Sequence, residues 1–526
     1  MISQSAQKYL QRMISFSQPK PEEEALSKIH VDYVASRVAT LYEKLRQVID
    51  YQEEHLLRKN AIERILKRRL ILSRESEEIA QPFIQELIRG GYFPNDRVPE
   101  IKIEEIKKIL KKYIFLLENL PSQLRGTERN LLSLWLQRLA ACEIEETISP
   151  PKKETALLDY MTEVMKERVK ITNQIPAEEK DLQIFIACQK ALLGSDKILI
   201  SFRLLKYHYP DWLEIQDESL KAFLPKIISF KNKIDREIES LLGKRVFSVV
   251  SQYTAPFLVI GDIVSENSKE AQKFFEEPEI LEQKIREAYD KRYKTCKAKI
   301  HRSSWRSVVS IFLSKVALAF LIEIPFDIFI TKKFYLPTLG ANFLIPPALM
   351  FAIVSSIQAP RAENAPRVVM EAIKVIKGAG KPEIYEIKLP KKRGLFLNVF
   401  LGLVYLFISG TIFGLITYGL WKINFSILSI IIFFIFFCLI AFSGIKTQQW
   451  ARELKVGKER EDIRGFLVDL FFLPFVRVGK WLSGQFQKYN LFILLLNLFF
   501  EAPLQTFFEF LEAWRGYIKE KKEEVE

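Results

Sequence analysis

Four apolar stretches, at about 308–330, 336–358, 395–421 and 425–445, follow a charge-rich stretch of about three hundred residues in this chain of 526. A helix needs roughly twenty apolar residues to cross a hydrocarbon core of ~30 Å, and each stretch reaches that length. The pattern predicts an all-α chain, with a large cytoplasmic helical-bundle domain followed by a polytopic α-helical membrane domain of about four spans plus interfacial or re-entrant helices.

Charge between the stretches sets the orientation. The connection 359–393 holds Arg361, Arg367, Lys374, Lys377, Lys381, Lys388, Lys391, Lys392 and Arg393, and the chain after 445 is also basic. The other two connections hold only Lys332 with Lys333, and Lys422. Because cations accumulate on the cytoplasmic side, the N-terminus, the loop 359–393 and the C-terminus are expected in the cytoplasm, and the protein in the cytoplasmic (plasma) membrane. Before the first stretch, Lys291, Arg292, Lys294, Lys297, Lys299, Arg302 and Arg306 run without an intervening acid. Such a juxtamembrane cluster is expected to bind anionic lipid.

The net charge of +14 is otherwise spread, with 51 Lys+Arg against 46 Asp+Glu up to residue 304 and 27 against 18 beyond it. A nucleic-acid-binding domain would concentrate that charge, so no nucleic-acid partner is expected. Four scattered cysteines without a C-x-x-C pair suit a reducing compartment. Met1 and its neighbours lack the basic patch and apolar core of a cleaved signal peptide.

In the first half the 3.6-residue period dominates. Val31, Val34, Val38, Leu41, Leu45 and Val48 form one stripe, as do Ile103, Ile106, Leu110, Tyr113 and Leu117, and Leu132, Leu136 and Leu139 beside Trp135. Turn signals at Gly90-Gly91, Pro121-Ser122 and Pro150-Pro151 separate the helices. The organisation expected is a polar tail over 1–24, a bundle over 25–150, a second helical block over 151–264, and a charged connector over 265–306. The four-span domain then occupies 307–445, and 446–526 holds interfacial or re-entrant runs, at 466–476 and 491–500, and a C-terminal amphipathic helix from Leu504.

Specific chemistry is sparse. Gly378-Ala-Gly-Lys381 lacks the first glycine and the Ser/Thr of a phosphate loop and reads as a turn. The four histidines lack metal-site spacing, and Glu143, Glu145 and Glu146 read as a solvated helix end. No cofactor or metal site and no catalytic residue are expected. The candidate functional positions are carboxylates within apolar sequence: Glu323 and Asp327, at i and i+4 around Pro325, and Glu501 two residues before Pro503. Carboxylates placed there suggest an ion path or a partner site. Pro346 and Pro347 are expected to kink the second span.

Two functions lead this reading, ahead of a membrane enzyme acting on lipid, which the carboxylates and basic rim permit without indicating. One is a non-enzymatic scaffold whose helical domain binds a protein partner, or itself, at the membrane face. The other is a cation or proton transporter using the intramembrane carboxylates.

Overall fold

The computed structural model describes residues 2–17, 27–31, 56–121, 124–172, 175–331, 336–356, 364–378, 384–388, 394–452, 454–457 and 463–488, with isolated positions beyond 509. Helices α1 to α6 are Gln4–Phe16, Leu57–Leu72, Ser76–Arg89, Ile101–Glu118, Gly126–Ile148 and Lys152–Arg168. Strand β1, Val169–Ile171, precedes α7 to α13 at Ala177–Leu193, Lys197–His208, Asp217–Phe223, Ile227–Glu239, Leu241–Val250, Thr254–Glu266 and Ala271–Glu276. Then come α14 Pro278–Leu318, α15 Leu336–Ser356, α16 Asn364–Lys377, β2 Tyr385–Ile387, α17 Leu395–Lys422, α18 Ile427–Arg452 and α19 Ile463–Lys488. The chain divides into two compact units, one of residues 1–282, 372–389 and 502–526, the other of 283–371 and 390–501.

The first unit is built from apolar stripes of helical period. In α4 the buried residues Ile106, Ile109, Leu110 and Tyr113 recur at three and four, and in α5 Leu132, Trp135, Leu136 and Leu139 do the same. One core runs from Ile29 to Ile238 and takes Phe202, Leu205, Trp212 and Ile234 from beyond Pro150-Pro151. Residues on both sides of the expected boundary at 150 thus share this core, although none of α6 takes part in it. Val34 to Val48 lie outside the described residues.

Two segments of this unit hold elements that the sequence reading does not give them. Within the supposed polar tail 1–24, α1 buries Ala6, Tyr9, Leu10 and Met13, a stripe that sparse apolar content conceals. Ser3 caps α1 by accepting from the amide of Ala6 at 3.3 Å, and its own amide donates to the carbonyl of Ile376 at 2.8 Å. Tyr9 stacks on Tyr160 at 5.2 Å, and the Tyr160 hydroxyl donates to the carbonyl of Val375 at 3.2 Å. The supposed loop 359–393 is thus partly structured: α16 ends inside this unit, and β2 pairs in parallel with β1, Val169 opposite Tyr385 and Ile171 opposite Ile387. Gly378 ends α16 at φ +59, the left-handed conformation glycine tolerates at a helix C-terminus.

Among the described residues three helical segments are long and apolar enough to cross a membrane: Leu241–Glu266, Leu395–Lys422 and Ile427–Ile445. The first comprises α11, a 3-10 turn and α12, packed on α6 and α7 within the first unit with Val246, Val250, Phe257, Ile260 and Val264 buried. Pro256 lies in the first turn of α12, where a missing N–H costs no intrahelical bond.

The second unit exposes apolar surface on a scale that water does not tolerate. Along α17, Leu395, Phe396, Leu406 and Phe407 are each at least 70% exposed. A helix apolar all round and uncovered matches hydrocarbon and not water. Of the glycines in this helix, Gly402, Gly410, Gly414 and Gly419 have nothing within 4 Å of where a Cβ would sit, so among the described residues no close approach requires them. The helix instead meets its neighbours through Phe413, Ile416 and Leu420, in a cluster with Phe433, Phe437 and Phe475. In this unit α15 stays helical through Pro346 and Pro347.

The run 466–476, expected as a short interfacial segment, belongs to the 26-residue α19, which packs along α18. Phe475 is fully buried against Phe437 and Phe413, and a Cβ at Gly479 would run into the backbone carbonyl of Cys438. Gly479→Val is therefore expected to separate α18 from α19 and destabilise the unit by about 1–3 kcal/mol. Thermal unfolding of the purified full chain in detergent checks this, and an unchanged transition would contradict the close approach. Residues 491–500 and most of the chain from Leu504 lie outside the described residues.

Candidate functional site

The sharpest site lies where α14 loses its regular pitch. Pro325 has no N–H to offer the carbonyl of Leu321, and its ring crowds that oxygen. The chain accommodates this with π-helical turns over Ala319–Glu323 and Asp327–Thr331 on either side of a short α-turn, Ile324–Phe326. In an ideal α-helix, residues eight apart differ by about 80° around the axis. The wider i→i+5 turn advances less per residue and brings Glu323 back toward the face of Lys315. The two side chains form an ion pair with Lys315 fully buried and Glu323 1% exposed. The ammonium also lies 5.6 Å from the centroid of Phe436 on α18, over the ring's negative face.

Sequence reasoning named Glu323 but missed Lys315. A lysine seven residues into an apolar stretch reads as an isolated charge, because i,i+8 is not a pairing distance in a regular helix. The available signal was the mid-helix Pro325, which a helix accommodates by a local change of pitch. Asp327 is half-buried, so the structure does not make the Glu323–Asp327 couple one buried site. Pro346 is buried and Pro347 half-buried in α15. Glu501 and Pro503 lie outside the described residues.

Along α14, Lys291, Lys294, Lys297 and Arg302 are exposed and Arg292 and Lys299 half-buried; the side chain of Arg306 is outside the described ones. At 100° per residue these cations wrap most of the helix and do not form one face.

A second charged cluster sits inside the first unit. Glu143, expected on a solvated helix end, is 1% exposed. Its carboxylate accepts from Lys112 Nζ at 2.5 Å, Tyr113 Oη at 2.9 Å and Trp212 Nε1 at 3.1 Å, while Lys112 also donates to the Trp212 carbonyl at 3.0 Å. Glu145 and Glu146 have their own cations, Arg58 at 3.5 Å and Lys206 at 2.5 Å. The three acids thus do not converge, and among the described residues no group of three or more ligating side chains could hold a metal ion.

Burial is the largest influence on both members of the Glu143 pair. It raises the Glu143 carboxyl above its ordinary 4.5 against the pull of Lys112, and lowers the Lys112 ammonium below 10.5 against the pull of Glu143. The folded state therefore holds more protons than the unfolded one between 4.5 and the raised value. The Glu143 contribution to stability is complete below pH 4.5 and is lost as pH rises through that window. In Glu143→Gln this loss is expected to vanish, seen as a flatter dependence of the full chain's unfolding midpoint on pH above 4.5. An identical slope in both proteins would contradict the raised carboxyl.

No protein-family model, curated protein or solved structure matches this chain.

Proposed function

We propose that this chain is a multi-pass protein of the cytoplasmic membrane, with four spans and both termini in the cytoplasm, whose helical domain is a non-enzymatic interaction module at the membrane face. The observation that carries this reading is the incorporation of residues 372–389, from between the second and third apolar stretches, into the N-terminal unit through β1–β2 and the contacts of Ser3 and Tyr160 with α16. Hydrogen-bonded partners share a compartment, so the chain crosses the membrane an even number of times between Ile171 and Tyr385. Stretches 308–330 and 336–358 supply two crossings. Counting Leu241–Glu266 as a span as well would make three, which supports treating that segment as core.

The clusters of charge favour binding over chemistry. Glu143 and Glu323 are both buried and paired with lysines, an arrangement suited to holding helices in place. The transport alternative draws on the same Lys315–Glu323 pair, since ionisable residues within a membrane mark many ion paths. Its near-complete burial counts against a water-filled route.

The full chain is the right reagent, because a 1–304 fragment would lack β2 and α16 and uncover Tyr160 and Val169. Chemical crosslinking in native membranes followed by mass spectrometry of the solubilised complex is expected to show a second copy or a stoichiometric protein partner joined to the first unit. A monomer without crosslinks would overturn the interaction reading. Cation or proton flux in proteoliposomes, abolished in Glu323→Gln, would establish the alternative.

A further inference from the structure

We propose that the exposed face of α11 docks on the anionic cytoplasmic surface of the membrane. Within Leu241–Val250, Leu242, Gly243, Val246 and Val250 are buried, and Leu241, Lys244, Arg245, Phe247 and Ser248 are exposed. At 100° per residue the exposed five fall within an arc of about 160°. Leu241 is 69% exposed and Phe247 37%, and two adjacent cations lie between them. Apolar side chains that enter the headgroup boundary, flanked by cations that meet phosphate, are the composition of an interfacial helix.

Covalent structure limits how far this face can be from a bilayer. Helix α11 packs beside β2, and Tyr253, just past its end, has its ring 4.7 Å from that of Tyr385. Ile384 and Lys388, flanking β2, are exposed. Lys388 stands seven residues before Leu395, the first residue of α17, and seven extended residues span at most ~25 Å.

The exposed face of α11 carries two cations and no acid. Lys190 is held below its ordinary range first by burial and then by the charge of Lys244, and Glu239, the nearby acid, is bonded to Lys197 at 2.8 Å. A basic and apolar surface on a tether this short fits anionic lipid better than it fits a protein partner that would have to be recruited. The inference rests on α17 crossing the bilayer, as proposed above.

The test uses the full chain carrying Cys296→Ser, since Cys142, Cys188 and Cys438 are buried. Single cysteines replacing Ser248, Leu403 on α17 or Glu218 on α9 carry a fluorophore, and quenching by nitroxide-labelled lipid is read in nanodiscs of phosphatidylcholine with or without phosphatidylglycerol. The expected result is quenching at 403 in both lipids, none at 218, and quenching at 248 only with phosphatidylglycerol. Adding Lys244→Gln and Arg245→Gln should lower the docked-to-undocked ratio about 25-fold, roughly fivefold per cation, and raised salt should act in the same direction.

Quenching at 403 without quenching at 248 overturns docking and leaves the membrane reading intact. Absence of quenching at 403 overturns both. Quenching at 248 that ignores lipid charge and both substitutions overturns the assignment to anionic lipid.

Discussion

Lys315→Met is expected to destabilise the second unit by about 3–5 kcal/mol, because it leaves the Glu323 carboxylate buried without its counter-charge. The pair is covered on all sides, so water cannot move in to solvate the remaining ion. Glu323→Leu should cost a similar amount by stranding the ammonium. Combining Lys315→Met with Glu323→Leu removes both charges, and the double variant should recover most of the loss, since an apolar pair of similar volume is often neutral or better than a buried ion pair. Glu323→Gln should fall between, as its amide oxygen still accepts from Lys315. Unfolding of the purified full chain in a mild detergent titrated with a denaturing one gives all four values. Additive effects of the two substitutions would rule out the pairing.

Glu143→Leu is the other substitution with a large expected effect, about 3–5 kcal/mol. It deprives Lys112, Tyr113 and Trp212 of their shared acceptor in a single step. The Trp212 indole lies at the edge of Tyr113, with centroids 6.3 Å apart, and both rings are buried, so these two donors have no route to solvent. Glu146→Gln is the control. Its partner Lys206 and Glu146 itself are each about a quarter exposed, and that change should stay within about 1 kcal/mol. Equal losses from the two substitutions, measured as shifts in the chain's unfolding transition, would show that the buried network has no special role.

Long, strongly patterned elements were legible in the sequence. The stripes of α4 and α5, the apolar continuity of α17 and α18, and the contrast between charged and apolar halves follow from side-chain period and length. Short amphipathic elements were harder. In α1 four buried residues are diluted by polar neighbours, and in α16 the stripe Val368, Val369, Ala372, Val375 and Ile376 is readable at helical spacing but lies among the cations used to assign a loop. Helix α19 was cut short because Arg477 and Lys480 interrupt its apolar run, although both remain exposed while Phe475 and Gly479 face the neighbouring helix.

The candidate site was half legible. Glu323 stands out as a carboxylate in apolar sequence, but its partner depends on a local change of pitch around Pro325 that regular helical geometry does not anticipate. Glu143 was misplaced for a related reason. A run of acids near a helix end looks solvated until Trp212, far along the chain, folds over it.

Composition and periodicity established that the chain is helical, that part of it suits hydrocarbon, and which face of a strong helix turns inward. These are local properties, set by how each residue partitions between water and an apolar phase and by the fixed angle between successive side chains. Tertiary structure alone decided what those faces meet: Ser3 with Ile376, Val169 with Tyr385, Lys112 with Glu143, and Lys315 with Glu323. A hydrophobic stripe specifies burial without specifying a partner, and a buried charge is tolerated only where the fold brings its complement within reach.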